Sequence, residues 1–291
     1  MHETYSASPR LELKNYVCAF AQRRLEQDSA ALVEPVPACL EQIFNFEFGI
    51  HPIGELGDAR RFTLNRLSIV GASAYRPFNM HLYGGVESFA IFFQPLAFWQ
   101  LFGLPMDSFV NQHYEGYAVL GREADQLWNR LAEAVTFAER VKFAEAYLLP
   151  KALNAGRKSS IMNAALYISR AKGTLRLDHV ANQLSLGLRQ FERNFLSEIG
   201  LSPKLYSRVA RFQAALDMRI HRQDTGWANL ANEFGYYDQT HMIKDFQKLS
   251  GFSPKDLLLR IGDMRPPALM GAVGESQILT TSVSDHRLIP R

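Results

Sequence analysis

The sequence predicts an α+β fold in two parts: a β-rich, barrel-like N-terminal domain with flanking helices, then an all-α C-terminal domain. Three observations predict it. Short aromatic and β-branched runs separated by turn residues occupy most of residues 11–120. Apolar residues at helical spacing replace them further along the chain. In the last third one motif occurs twice, its two alanines 50 residues apart.

The elements follow in order. Gln42 to Phe48 (QIFNFEF) and Glu87 to Phe93 (ESFAIFF) read as strands bounded by Gly, Pro or polar turns. Leu67 to Val70 ends at Gly71, and Asn79 to Tyr83 ends at Gly84-Gly85. Strands this short and this close give a small antiparallel barrel or sandwich. Pro95 to Phe102 (PLAFWQLF) reads as a helix, with proline at a favourable first position and Gly103 as the stop. Ala124, Leu127, Leu131 and Val135 recur at helical intervals, and Val141 to Leu149 forms a second helix. This pair gives an exposed helical layer suited to self-association. Residues 154–160 (NAGRKSS) are small, polar and basic, as a linker is. Beyond them a helix carries Ile161, Ala165 and Ile168 and stops near Gly173. The expected domains are therefore 1–153 and 161–265, with residues 266–291 a Pro-, Gly- and Ser-bearing disordered tail.

The repeated motif organises the second domain. Its first copy reads Val180-Ala181-Asn182-Gln183-Leu184, a turn, Phe191 to Phe195, then Gly200-Leu201-Ser202-Pro203-Lys204. The second reads Leu230-Ala231-Asn232-Glu233-Phe234, a turn, Met242 to Phe246, then Gly251-Phe252-Ser253-Pro254-Lys255. The Gly-x-Ser-Pro segments are offset by 51, so the second copy holds one extra residue, in its turn Gly235-Tyr236-Tyr237-Asp238. Two helices joined by a tight turn, the second polar on one face, make a helix-turn-helix, which puts a short helix into the major groove of DNA. Between the copies Ser202 is a good N-cap and Pro203 suits the first turn. Leu205, Val209, Phe212, Leu216 and Ile220 then form one apolar stripe along a connecting helix. Such a rod, roughly 27 Å long, can hold two reading heads about one DNA turn apart.

Charge agrees with this division. The chain carries a net charge of +3. Residues 1–156 hold 13 Lys+Arg against 17 Asp+Glu, whereas residues 157–265 hold 17 against 10. A basic half joined to an acidic one is the asymmetry expected when one half meets a polyanion.

Residues 160–262 resemble the DNA-binding domain of the AraC/XylS family of bacterial transcription regulators, on both apolar-Ala-Asn helices, both Gly-x-Ser-Pro segments and the Gly235-Tyr236-Tyr237-Asp238-Gln239 lead-in. Two positions depart from the pattern. Arg176 stands where the family places a Ser or Thr cap, which weakens that cap by about 1 kcal/mol, and Gly187 replaces a Ser at little cost. Around Val70-Gly71 and Phe93 to Pro105 the N-terminal part resembles the β-rich sensor modules of such regulators. The resemblance implies double-stranded DNA and RNA polymerase as partners, with a small-molecule effector or a second copy of the chain engaging the first domain.

Candidate DNA contacts are what remains when the apolar positions turn inward. In the first recognition helix Phe191 and Phe195 pack inside, leaving Arg189, Gln190, Glu192 and Arg193 to face out. Arg189 and Arg193 can meet guanine edges, and Glu192 can accept from cytosine or pair with a neighbouring Arg. In the second, Met242 and Phe246 face in and Gln239, Thr240, His241 and Lys244 face out, behind Asp238 as N-cap. The resemblance assigns Gln239, Thr240 and Lys244 to base or backbone contacts. Trp227, matching Leu177 of the first copy, reads as core.

Other chemistries find little support. Two cysteines, Cys18 and Cys39, are too few for a disulfide framework or a thiolate zinc site. A metal-binding barrel needs two closely spaced histidines, and His81 lacks the second although Glu87 and His113 follow. Gly71 to Tyr75 does not make a nucleophile elbow, and no phosphate loop occurs. No catalytic, metal or cofactor residue is therefore expected. A pocket lined by Phe46, Phe48, Phe78, Tyr83, Phe92 and Phe93 is conceivable, although alternation sends half of these outward; no effector contact follows from the sequence. No run of 18 apolar residues and no secretory leader is present, so a cytoplasmic location is expected. The expected function is sequence-specific transcription regulation; the alternative is an N-terminal enzyme or metal sensor fused to a DNA-binding domain. The fragment 157–265 should fold and bind DNA alone, with log affinity falling by about 0.9 per log unit of salt for each phosphate contacted. A salt titration on the purified fragment checks this, and a folded fragment with no affinity at low salt contradicts it.

Overall fold

The computed structural model of the chain describes residues 2–28, 30–56, 59–74, 77–156, 159–222 and 226–261. The expected tail, residues 262–265 and two linker positions lie outside these. Among the described residues ten strands form two antiparallel sheets. In chain order they are β1 (His2–Ala7), β2 (Val17–Leu25), β3 (Leu32–Val36), β4 (Gln42–Glu47), β5 (Ile53–Leu56), β6 (Arg61–Thr63), β7 (Leu67–Val70), β8 (Phe78–Leu82), β9 (Glu87–Phe93) and β10 (His113–Glu115). One sheet has the order β1-β2-β9-β4-β7-β10 and the other β3-β8-β5-β6. Neither closes on itself, so of the barrel and the sandwich the chain adopts two open, facing sheets.

Strand alternation gives the six-stranded sheet two unlike faces. Phe44, Phe46, Phe89, Ile91 and Phe93 point to one side and are fully buried. There they meet α1 (Ala97–Phe102): Phe44 lies 4.8 Å from Phe93 and 5.1 Å from Phe98, ring centre to ring centre. The helix begins at Ala97, not at Pro95. Leu96 precedes it in the left-handed conformation (φ 77°) with no side-chain cap, and the buried Gln42 on β4 accepts the N–H of Phe98 instead, at 2.9 Å. A short α2 (Met106–Phe109) and α3 (Gly116–Leu120) follow, then α4 (Arg122–Glu133) and α5 (Phe137–Leu153) on the same side of the sheet. Val135 does not continue α4, as its spacing suggested. Thr136 and Glu139 form a capping box that starts α5, so Val135 falls in the intervening turn at 89% exposure. The buried Arg140 of α5 donates to Leu131 O (3.0 Å) and Gln22 Oε1 (2.8 Å) and pairs with Glu87 (2.7 Å), tying α4, β2 and β9 together.

Among the described residues seven further helices follow: α6 (Ser160–Arg170), α7 (Leu177–Gln183), α8 (Leu188–Ile199), α9 (Pro203–His221), α10 (Trp227–Glu233), α11 (Gln239–Ser250) and α12 (Pro254–Ile261). The pairs α7/α8 and α10/α11 are the two repeated units. In α9, Ser202 caps the N–H of Leu205, and Leu205, Val209, Phe212 and Leu216 are buried. Phe212 meets Phe246 of α11 edge to face at 4.7 Å.

One hydrophobic core runs from the six-stranded sheet through α12. The join between the halves is made by Pro37 to Glu41, which follows β3. Ala38 donates its N–H to Leu249 O at the end of α11 (2.7 Å), and Leu40 donates to Gln213 Oε1 of α9 (3.1 Å). Gln213 Nε2 in turn donates to the Glu41 carboxylate at 2.6 Å. A second contact brings α2 against the end of α8. Gly200 and Gly251 end α8 and α11 with φ of 77° and 81°, as left-handed caps usually require glycine. A Cβ at Gly200 would fall 2.6 Å from Cα of Asp107, whereas one at Gly251 would meet nothing within 4 Å. Gly251→Ala should therefore cost only the left-handed strain, about 1–2 kcal/mol. Gly200→Ala adds a backbone clash with α2, roughly 2–5 kcal/mol in sum. Denaturant unfolding of the two variants checks the difference, and equal losses would place α2 away from α8.

Candidate nucleic-acid interface and inter-sheet cavity

Each recognition helix is fixed from behind. On α8, Phe191, Phe195 and Ile199 are buried; on α11, Met242, Asp245, Phe246 and Leu249 are. The opposite faces are open: Arg189, Gln190, Glu192 and Arg193 are all exposed, as are Gln239, Thr240, His241 and Lys244. The two sets sit on corresponding faces of the two repeated units, which flank α9. Asp238 caps α11 by accepting the N–H of His241 at 2.7 Å. The first unit lacks such caps: neither Arg176 nor Gly187 makes a side-chain cap, and Arg176 pairs instead with Asp178 at 2.6 Å. Within the second set His241 also packs edge-on against the buried Tyr236, ring centres 5.7 Å apart, so part of its surface is committed to the turn.

Part of the basic surplus is spent inside. Arg208 of α9 makes two hydrogen bonds to Asp245 of α11, the shorter at 2.7 Å, and the Asp245 side chain is only 5% exposed. Arg211 donates to Gly173 O (2.9 Å) after α6 and to Gly235 O (3.4 Å) in the second turn, and stacks over Tyr236. These two arginines orient the second reading head. Their place on the polar side of the α9 stripe reads in sequence as solvent-facing surface, so nothing local marked them. Trp227 packs against Phe246 but is only half-buried, at the margin of the core in which its place in the repeat put it.

Between the two sheets lies a cavity of about 390 Å³. It takes the second face of each strand: Ile43, Asn45 and Glu47 from β4, Ser88, Ala90 and Phe92 from β9, and Phe78, Met80 and Leu82 from β8. Of the six aromatics suggested by sequence, Phe78 and Phe92 line it. Phe46 and Phe93 face the helices, Phe48 packs on Trp128, and Tyr83 is not a lining residue. Phe62 of β6 lines it instead, from a strand too short to be recognised. Pro37, Cys39 and Glu41 close one end beside Ile261 of α12. Burial pushes the Glu47 carboxyl up to about 8, against hydrogen bonding from Asn45 and the charge of Arg23. Burial also lowers the pKa of His113, another lining residue.

The metal candidates go separate ways. His81 Nε2 lies 3.8 Å from Glu55, His113 stacks on Phe62, and Glu87 pairs with Arg140. Among the described residues no three His, Cys, Asp or Glu side chains gather as a metal site, and no helix is long and apolar enough to cross a membrane.

Residues 180–260 match a family model described as a helix-turn-helix domain, and residues 5–115 match a domain of unknown function, DUF6597. No curated protein matches the chain. Similar solved structures include ToxT from Vibrio cholerae O395 bound to (E)-4-(8-methylnaphthalen-1-yl)but-3-enoic acid. It is 10% identical, with 90% of this chain and 99% of that one covered at a TM-score of 0.48. ToxT from Vibrio cholerae strain SCE256 with an unsaturated fatty acid bound is also 10% identical, covering 79% and 95% at 0.45. The AraC-like transcriptional activator CuxR is 12% identical, covering 72% and 86% at 0.29.

Arg208→Met should strand the buried Asp245 carboxylate and cost about 3 kcal/mol, near the low end for a broken buried pair because Arg208 is partly exposed. Adding Asp245→Leu should recover much of the loss. A double-mutant cycle by denaturant unfolding checks this, and additive losses would show that the two side chains do not interact.

Proposed function

We propose that this chain, which carries an AraC-type helix-turn-helix domain at its C-terminal end, is a sequence-specific DNA-binding regulator of transcription controlled by a small molecule. The observation that carries the reading is the paired exposure of α8 and α11. Both helices lock their apolar faces onto one shared helix, α9, and turn polar side chains outward. At 1.5 Å per residue α9 is about 28 Å long, close to the roughly 34 Å between successive major grooves on one DNA face. Arg189 and Arg193 are the candidate guanine readers and Glu192 the cytosine reader, with Gln190 beside them. Gln239, Thr240 and Lys244 take base or phosphate positions in the next groove, and His241 sits at its edge.

The cavity supports the effector half of the reading. It has the size and the mixed lining of a small-molecule site, and its end wall, Pro37 to Glu41, is the segment bonded to α9 and α11. An occupant that shifts this wall shifts the seating of both reading heads. Residues 1–153 then form the sensing unit and 161–265 the DNA-binding unit, with a second copy of the chain and RNA polymerase as further partners. A catalytic role for the β-rich half finds no comparable support, since its histidines and Glu87 engage separate neighbours.

Arg193→Ala tests base reading. It should cost about 1–3 kcal/mol on the cognate site and relax preference at one base pair. Binding to cognate and scrambled duplexes at several salt concentrations separates the outcomes. An equal loss on both would make Arg193 a phosphate contact, and no loss on either would remove it from the interface.

A further inference from the structure

We propose that the inter-sheet cavity is a receptor for an organic cation, an ammonium or related head on an apolar, aromatic-sized body. This rests on the effector reading above and adds the charge class of the ligand. Among the described residues the charged lining groups are Arg23, Glu34, Glu41 and Glu47, one cation against three carboxyls. Arg23 is committed across the cavity to Glu34 Oε2 at 2.6 Å, and Glu41 accepts from Gln213. Glu47 is different. It is 1% exposed, Asn45 donates to its Oε1 at 2.5 Å, and its Oε2 has no hydrogen-bond partner. Glu34 Oε1 on the facing sheet is likewise buried without one.

A carboxyl oxygen buried without a donor is costly, and each such group in a native protein calls for an explanation, a bound ion being one. Register places this one in the cavity wall: Ser88 of β9 pairs with Glu47 on one side and Arg23 on the other, and all three line the cavity. The remaining lining suits the body of such a ligand. Phe62, Phe78 and Phe92 offer aromatic faces, which attract cations as well as apolar groups. His113 supplies no second positive charge, because burial favours its neutral form. Carboxyl groups from both sheets thus converge on a space walled by aromatics, with their one cationic neighbour already paired across it.

Without a bound cation, burial holds Glu47 protonated at neutral pH, with Arg23, Asn45 and Ser88 as its neighbours on the sheet and Glu34 facing from the other. An ammonium that binds there displaces this proton. Its affinity therefore rises with pH towards 8. For the same reason Glu47→Gln, neutral and of the same shape, leaves the fold intact.

The test uses the full chain and three probes with one body and different heads: phenethylammonium, phenethyl alcohol and phenylacetate, with the naphthyl analogue of each. By calorimetry the ammonium should bind at least about tenfold more tightly than the alcohol, and the carboxylate more weakly than either. Glu47→Gln should erase the ammonium preference and leave the alcohol unchanged, and Glu34→Gln gives a second reading should the first variant fail to fold. Ala90→Phe, which fills the cavity, should abolish binding of every head. Alcohol or carboxylate binding as well as the ammonium overturns the charge class while leaving the effector reading in place. Ammonium binding that survives Ala90→Phe lies elsewhere and overturns the proposal, and failure of every head to bind overturns both readings.

Discussion

The molecule depends on how a short extended stretch, Pro37 to Glu41, satisfies its backbone. An extended segment presents alternate residues to opposite sides, and here the two sides are different halves of the protein. Pro37, Cys39 and Glu41 turn to the cavity. Ala38 and Leu40 turn to the helices and place their N–H groups on Leu249 O and Gln213. Buried backbone groups must find partners, and these are found in the C-terminal helices. Cys39 exchanges backbone hydrogen bonds with Ser73, so the stretch is held by the β-rich half through Cys39 while the N–H groups of Ala38 and Leu40 are held by the other. Gln213 completes the lock, accepting from Leu40 and donating to Glu41 with a single amide.

The same helix that carries Gln213 sets the two reading heads. On α9 the apolar stripe packs both units, Arg208 fixes α11, Arg211 ties the turns after α6 and α10, and Gln213 reaches the β-rich half. Four jobs on one helix explain why Arg208, Arg211 and Gln213 are paired rather than free. They also explain why the charge surplus of the region overstates what is left for DNA.

Much of this was legible in the sequence, and the rest was hidden for identifiable reasons. The repeat, the Ser202 and Asp238 caps and the glycine stops are local signals, and they located α7 to α11 closely. The aromatic runs located β4, β7, β8 and β9. The N-terminal strands did not announce themselves: β2 owes its place to pairing with β9, a partner far along the chain, and the edge strand β1 to pairing with β2. The end of α4 was misjudged because an apolar residue at the right spacing outweighed the Thr136–Glu139 capping box. Arg140 and Glu47 were unreadable in kind. A buried ion pair or a buried acid is defined by what surrounds it, and in a one-dimensional string both look like surface. Four of the six proposed pocket aromatics do not line the cavity; alternation fixes that Phe92 and Phe93 face opposite ways but not which way either faces.

The continuous core described above couples the halves by thermodynamics as well as by contact. When one folded state holds both a ligand cavity and a DNA surface, linkage is mutual: the factor by which an occupant changes affinity for an operator is the factor by which the operator changes affinity for the occupant. On the proposed effector reading, each promoter then sets its own threshold for the signal. A strong operator and a weak one, read by the same protein in the same cell, respond to different concentrations of a single compound, and a graded programme of expression needs no second sensor.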